Sequence, residues 1–314
     1  MSASNIAALD VAAGDSSPTV AVRPVVLSAP DRGDDLQVRV SAPTTGSELP
    51  IIVFSHGFGE SMDSYTPLSD FWAAHGFVVI QPTHLDSRTL GVAPDDPRTP
   101  RIWRIRVDDL TRILDHLDHI EASVPGLSGR VDRERIAAAG HSYGAQTASN
   151  LLGARVLDVN GRPGEDMTDA RVKAGVLLSL TGTGGGDLTP FAAETFPFMN
   201  ADFAQLSTSA LAVAGDHDQS FLSTRGPDWF TDGYRLSPGV RDLLVLAGGE
   251  HSLGGISGHG AAATTDEDPA RVALVQRLTT AYLRTALGVE GPSWAAASAA
   301  VAEDVGSMGR LDSK

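Results

Sequence analysis

Short apolar runs alternate with amphipathic stretches along most of this chain. "VAVRPVVLS" (Val20 to Ser28) and "DLQVRVSAP" (Asp35 to Pro43) flank the turn-forming "APDRGD" and predict two strands. "LPIIVFSHGFG" holds a fully apolar run, Ile51 to Phe54, that ends in glycines, the pattern of a buried parallel strand feeding a loop. "YTPLSDFWAAHG" predicts a helix closed by Gly76, and "FVVIQP" the next buried strand. Between Ile102 and Ile120, the residues Leu110, Ile113, Leu114, Leu117 and Ile120 recur at steps of three and four and predict one long helix. "RIAAAG" predicts a strand and "YGAQTASNLLGA" the helix after it. "AGVLLSL", "SALAVAG" and "RDLLVLAG" predict three more strands, and "PARVALVQRLTTAYLRTAL" a closing helix with Pro269 near its first turn.

This alternation calls for an α/β architecture, a mostly parallel sheet between helices with an antiparallel start. Residues 1–19 are small and polar and are expected to be a loose lead-in. Residues 20–290 read as one domain, and residues 291–314 as an Ala-rich tail. No internal repeat or linker divides the chain.

Composition narrows the function. With 314 residues, 42% hydrophobic and 20% charged, the chain can bury a large core. Its formal net charge of −15, with no Lys/Arg cluster, argues against a nucleic-acid partner. The absence of cysteine excludes disulfides and thiolate metal sites. "MSASNIAALDVAAGDSSPTV" lacks the basic and apolar regions of a signal peptide, and no run reaches the ~18 apolar residues of a membrane helix. A soluble, cytoplasmic protein is the expectation, with secretion left open for a chain whose signal peptide has been trimmed.

Candidate chemistry centres on "ERIAAAGHSYGAQTASN" (Glu134 to Asn150). Gly140, Ser142 and Gly144 form G-x-S-x-G at a strand-to-helix seam, the context in which a sharp turn exposes a nucleophilic serine. A serine hydroxyl needs a base, and the base an orienting carboxylate, here expected in the order Ser, Asp or Glu, His. "LAVAGDHDQS" places Asp216 and Asp218 just past one apolar strand, and "LLVLAGGEHSLGG" places His251 just past the next. Asp218 sits one step deeper into its loop and is the expected acid. Asp216, nearer the strand end, is the alternative, or a brace for the turn. His116 and His119 lie off the apolar stripe, and His259 lies further from any strand end. The oxyanion donors are expected to be the backbone N–H groups of Tyr143, after the nucleophile, and of Phe58 in "SHGFGES". His56 is expected to hydrogen-bond that loop.

"PIIVFSHGFGESMDSYTPLSDFWAAHGFVVIQPTH", "RVDRERIAAAGHSYGAQTA" and "GEHSLGGISG" together resemble the α/β-hydrolase superfamily over about Leu49 to Leu287. The branch resembled is that of dienelactone-hydrolase-like and chlorophyllase-like esterases, with cutinase-type polyester hydrolases as near cousins. The resemblance implies an eight-stranded, mostly parallel sheet flanked by helices on both faces. It implies ester hydrolysis through an acyl-enzyme without a cofactor, with Ser142, Asp218 and His251 as the triad and Phe58 and Tyr143 as oxyanion donors. The chain departs from dienelactone hydrolases in carrying serine rather than cysteine at the elbow, and from secreted cutinases in having no cysteine pair.

The remaining features concern the pocket. Thr181 to Ser207, glycine-rich and then aromatic, reads as a lid or pocket wall in which Phe191, Phe196, Phe198, Met199 and Phe203 grip substrate, or else pack onto the core. "GTGGG" has no basic neighbour and is not read as a phosphate loop. His84 and Trp103 are candidate pocket residues. Arg98, Arg101, Arg104 and Arg106 are read as ordinary helix-start charges beside Asp108 and Asp109. The expected function is a serine carboxylic-ester hydrolase acting on a small-molecule or polymeric ester, with no metal. A thioesterase, amidase or perhydrolase would use the same residues. An inactive hydrolase-fold binding module is the alternative of a different class.

Overall fold

Every residue of strand β3 (Leu49–Ser55) is buried, and its side chains enter two different cores by turns. Ile51 and Val53 join one core, Ile52 and Phe54 the other. A strand covered on both faces has no solvent side, which is why its sequence shows no polar alternation. The computed structural model describes residues 9–10, 12–258, 264–291, 294–302 and 308–314.

Around β3 the chain lays down β1 (Thr19–Leu27), β2 (Leu36–Pro43), β4 (Val78–Pro82), β5 (Val131–His141), β7 (Val172–Leu178), β9 (Ser209–Gly215), β10 (Val240–Leu246) and β11 (Gly309–Ser313). The two-residue strands β6 (Arg155–Val156) and β8 (Ala201–Asp202) pair separately. The large sheet has the order β1-β2-β4-β3-β5-β7-β9-β10-β11. The pairings from β4 through β10 are parallel, and β1–β2, β2–β4 and β10–β11 are antiparallel. Because β3 lies between β4 and β5, the chain leaves it towards one edge and later returns on its other side. Loops at that switch diverge and leave a crevice at the carboxyl ends of the strands.

Helices α1 (Thr66–Ala74), α2 (Ile102–Asp115), α3 (Leu117–Ser123) and α4 (Tyr143–Leu151) are followed by α5 (Pro190–Thr195), α6 (Asp232–Leu236), α7 (Pro269–Ala286) and α8 (Trp294–Ala302). α2, α3 and α4 pack on one face through Leu110, Ile113, Leu117, Ile120, Ala148 and Leu151. α1, α7 and α8 cover the other through Leu68, Trp72, Leu274, Leu278, Ala297 and Val301.

Three expectations change. The sheet has nine strands, not eight, because Gly309–Ser313 pairs antiparallel with β10, Leu311 opposite Leu244. "GRLDS" carries one apolar residue among polar ones, as suits an edge strand held by its backbone, so it has no apolar run to read. The long helix breaks at His116 (φ −116°, ψ 23°), giving α2 and α3 instead of one rod. Leu9 and Ala12, in the supposedly loose lead-in, are buried in the core of α1 and α7.

Trp72 anchors that second core. It is fully buried, and its Nε1–H donates to Thr279 Oγ1 on α7 at 3.1 Å. Trp72→Ala is expected to remove ~3–5 kcal/mol and lower Tm by roughly 10 °C, measured by urea and thermal unfolding.

Candidate active site

β5 ends at His141 and α4 begins at Tyr143, so Ser142 alone turns the chain, at φ 55° and ψ −121°. A non-glycine residue holds such a conformation only when its surroundings over-determine it. Here they do. A Cβ on Gly144 would overlap the backbone carbonyl of Ser55 in β3, and one on Gly140 would overlap the carbonyl of Gly144. The Ser142 N–H donates to the Leu178 carbonyl at 2.9 Å, fastening the turn to the end of β7. The missing side chains let α4 press its first turn against two strands.

The loops after β9 and β10 meet this turn. Ser142 Oγ lies 2.8 Å from His251 Nε2, and His251 Nδ1 lies 3.0 and 3.1 Å from the two carboxylate oxygens of Asp218. Asp218 is 0% exposed, whereas the His251 side chain is 40% exposed. The acid is therefore enclosed while the imidazole opens to solvent. Asp216 does not reach the histidine. Its Oδ1 accepts from Gly248 N–H at 2.7 Å and braces the turn after β10. His259 lies outside the described residues.

A second hydrogen-bonded chain runs beneath. Gly57 N–H donates to Tyr65 Oη (3.2 Å), which contacts His141 Nδ1 (2.8 Å), while His141 Nε2 contacts the His251 carbonyl (2.7 Å). A carbonyl only accepts, so Nε2 carries the proton and Nδ1 accepts from the tyrosine. Burial, with His251 nearby, pushes His141 down to about 3 and keeps it neutral. Burial likewise raises the Tyr65 phenol and keeps it a donor. Neither residue stood out in the sequence, although His141 is the variable position directly before the serine.

Buried charges hold the loop that carries Phe58. Arg106 donates to Asp86 Oδ1 (2.6 Å), Thr147 Oγ1 (3.1 Å), Ser55 Oγ (3.2 Å) and the His56 carbonyl, and its guanidinium lies 4.2 Å from the centre of the Tyr143 ring. Asp86 Oδ2 accepts from Gly59 N–H at 3.1 Å. Burial works to raise Asp86, but Arg106, His56 and that N–H together hold it below its usual range. His56 supports the loop as expected: Nδ1–H donates to the Gly57 carbonyl (2.7 Å) and Nε2 accepts from His84 N–H (3.0 Å). Burial, then Arg106, lower it to about 4.

His84 is not a pocket residue. It is fully buried, with Nε2 2.9 Å from Ser55 Oγ and Nδ1 2.8 Å from Asp109 Oδ2. Burial lowers His84 and raises Asp109 to about 7, against the pull of Arg32 on the same carboxylate. This serine–histidine–aspartate trio repeats the connectivity of the exposed one, but no substrate can reach it. Arg106 and Asp109 are not ordinary helix-start charges either. They lie on the same side of α2 as Leu110 and Ile113, and charged residues in an apolar stripe were the available signal.

Above Ser142 opens a cleft of about 710 Å³. Phe196, Phe198 and Met199 of the wall segment line it, together with Thr181 and the side chains of Phe58 and Tyr143. Phe191 stands one ring further out, 6.1 Å from Phe196 and 6.2 Å from Phe221. Phe203 is buried in the core. Trp103 faces a neighbouring cavity instead. The other wall, Gln219, Phe221, Leu222 and Phe230, comes from the loop after β9 and was not singled out, although "QSFL" follows Asp218 directly. The wall segment is pinned: Arg225 binds Asp187 (3.0 Å) and Asp232 (2.8 Å), and Trp229 Nε1–H donates to the Thr183 carbonyl (2.8 Å). Among the described residues, no group of three or more His, Cys, Asp and Glu side chains is placed to hold a metal ion, and no helix is long and apolar enough to cross a membrane.

Residues 19–158 match the sequence model of the chlorophyllase family, a stretch that includes Phe58 and Ser142 and ends before Asp218 and His251. The chain is also similar to the platelet-activating factor acetylhydrolase of Cavia porcellus, 27% identical over 142 residues (34% of this chain, 33% of that protein). The enzyme of that name from Bos taurus is 29% identical over 146 residues, with the same coverage. The chain thus spans about a third of the length of the curated relatives it matches.

Gly144→Ala is expected to destabilise the fold by more than about 4 kcal/mol or abolish soluble expression, because backbone rather than a movable side chain blocks the new methyl. Gly186→Ala, with open space around it, serves as the control and should stay within about 1 kcal/mol. Acid should also destabilise the fold. His56 and His141 stay neutral in the native state down to about 4 and about 3, whereas in the unfolded chain they take up protons near 6.5. Below 6.5 the unfolded state binds more protons, so stability falls with pH by up to ~1.4 kcal/mol per unit for each histidine. The loss ends near each native value. Urea unfolding between pH 8 and 4.5 should show this slope, and His141→Gln should make it shallower.

Proposed function

We propose that this chain, a member of the α/β-hydrolase superfamily, hydrolyses carboxylic esters through an acyl-enzyme. The observation that carries the reading is the unbroken line from Ser142 Oγ through His251 to the enclosed Asp218, at 2.8 and 3.0 Å, on the floor of an apolar cleft.

In this mechanism Ser142 Oγ attacks the ester carbonyl carbon while His251 Nε2 takes the hydroxyl proton. Asp218 holds Nδ1–H and stabilises the imidazolium that forms. The carbonyl π electrons move to oxygen, and the N–H groups of Phe58 and Tyr143 receive the oxyanion. Tyr143 opens α4, and the first N–H groups of a helix have no acceptor within it. Each such donor is worth ~3–4 kcal/mol in the transition state. The tetrahedral adduct collapses, the C–O bond to the alcohol breaks, and the alcohol leaves with the proton from His251. Water then attacks the acyl-enzyme by the same route and releases the acid.

The chlorophyllase match and the acetylhydrolase relatives support ester hydrolysis, and the latter name supports a short acyl group. Thioester hydrolysis, amide hydrolysis and perhydrolysis, in which hydrogen peroxide replaces water as acyl acceptor, pass through the same acyl-enzyme, and a matched ester, thioester and amide series with and without peroxide ranks them. The intact line of three side chains speaks against an inactive binding module.

Ser142→Ala is expected to abolish labelling by a fluorophosphonate and lower p-nitrophenyl ester turnover by at least about 10³-fold. Asp218→Asn should lower kcat by about 10³–10⁴-fold, whereas Asp216→Asn should stay within about threefold. Steady-state kinetics on purified variants separates the two aspartates. Full turnover in Ser142→Ala defeats the assignment.

A further inference from the structure

Beside the cleft lies a second cavity of about 530 Å³, with an apolar floor that includes Trp103, Leu157, Met167 and Leu188. Phe198 lines both spaces. Its ring is stacked between two others: 5.3 Å from Tyr143 at 23° on the cleft side, and 6.2 Å from Trp103 at 14° on the far side. The partition is thus one aromatic ring thick. Its backbone is tied separately, since the Phe198 carbonyl accepts from Gln146 Nε2 at 3.0 Å.

Stereochemistry says which part of a substrate meets this ring. The leaving oxygen must face His251 Nε2, which delivers its proton, and Phe230 flanks that side, 5.5 Å from the imidazole. The acyl chain leaves the carbonyl carbon away from the leaving oxygen, and Tyr143, next to Ser142, with the Phe198 ring stacked on it, lines the cleft there. The floor beyond suits an alkyl chain. Asp158 and Glu165 also line that cavity and disfavour a charged carboxylate tail.

We propose that the second cavity is the distal half of a divided acyl-binding site, and that Phe198 sets acyl chain length by closing it off. The proposal rests on the ester-hydrolase reading and extends it to a specificity-determining residue. With the ring in place, acyl groups end at Phe198. With it removed, the two spaces join and straight-chain acyl groups reach Trp103 and Leu188.

The test compares kcat/KM for p-nitrophenyl dodecanoate and butyrate. Phe198→Ala should raise the dodecanoate-to-butyrate ratio at least about tenfold, the scale of fitting or excluding methylenes in an apolar pocket. Phe198→Leu should give a smaller rise, and it decides the matter if the alanine variant does not fold. Ala193→Trp, at an exposed position of α5 that lines the second cavity, should cancel the gain when added to Phe198→Ala. An unchanged ratio in variants that still react with a fluorophosphonate overturns the proposal, as does a gain that survives Ala193→Trp. Wild-type protein that neither reacts with the phosphonate nor turns over either ester overturns the ester-hydrolase reading and the proposal with it.

Discussion

Two of the tight approaches among the described residues are between pieces of backbone. Gly144 in α4 lies against the carbonyl of Ser55 in β3, and Gly140 in β5 lies against the carbonyl of Gly144, at distances that admit no side chain. Everything chemical follows from that approach. It brings a helix start to the carboxyl ends of two central strands and holds Ser142 at a positive φ of 55°. The hydroxyl is thereby raised to where loops from β9 and β10 can reach it. The strain at Ser142 is local, and the small side chain of Ala138, in the same core as Ala145 and Ala148 of α4, lets the helix close over the sheet.

Around this turn the polar groups fall into two sets with opposite treatment of solvent. The exposed set, Ser142 and His251 backed by Asp218, keeps a partly open imidazole. The enclosed set, Arg32, Ser55, His84, Asp86, Arg106 and Asp109, is sealed and satisfies itself with short, charge-assisted contacts. Buried ions are weak contributors to net stability, but removing one partner strands the other. That makes the enclosed set a rigid support for the loop of Phe58. Two trios of the same three residue types thus differ in accessibility: one opens to the cleft and the other is enclosed.

Much of this was legible from pattern alone. The strands of the large sheet from β1 to β10 announced themselves as alternating or apolar runs, the two-residue β6 and β8 did not, and Ser142, Asp218 and His251 were reached from chain order and strand-end position. What escaped has physical reasons. β11 is an edge strand whose pairing is made by backbone, so "GRLDS" carries little side-chain signal. The break at His116 leaves the apolar stripe intact, because Leu117 and Ile120 stay buried after it. His84 sits at a strand end like a pocket residue, but the side chains it meets, Ser55 and Asp109, lie 29 and 25 positions away in sequence. Phe221 and Phe230 were passed over because a loop's side chains have no periodicity to betray the face they line.

The chain of contacts from Gly57 through Tyr65 and His141 to the His251 carbonyl spans 194 positions of sequence (251 minus 57) in three steps. It joins the crossover before α1, the tip of β5 and the loop after β10. Segments fastened in series tend to open together, as one cooperative unit. The Gly57 amide, far from the histidine along the chain, is therefore a natural reporter: its exchange with deuterated solvent registers the release of the loop that carries the imidazole.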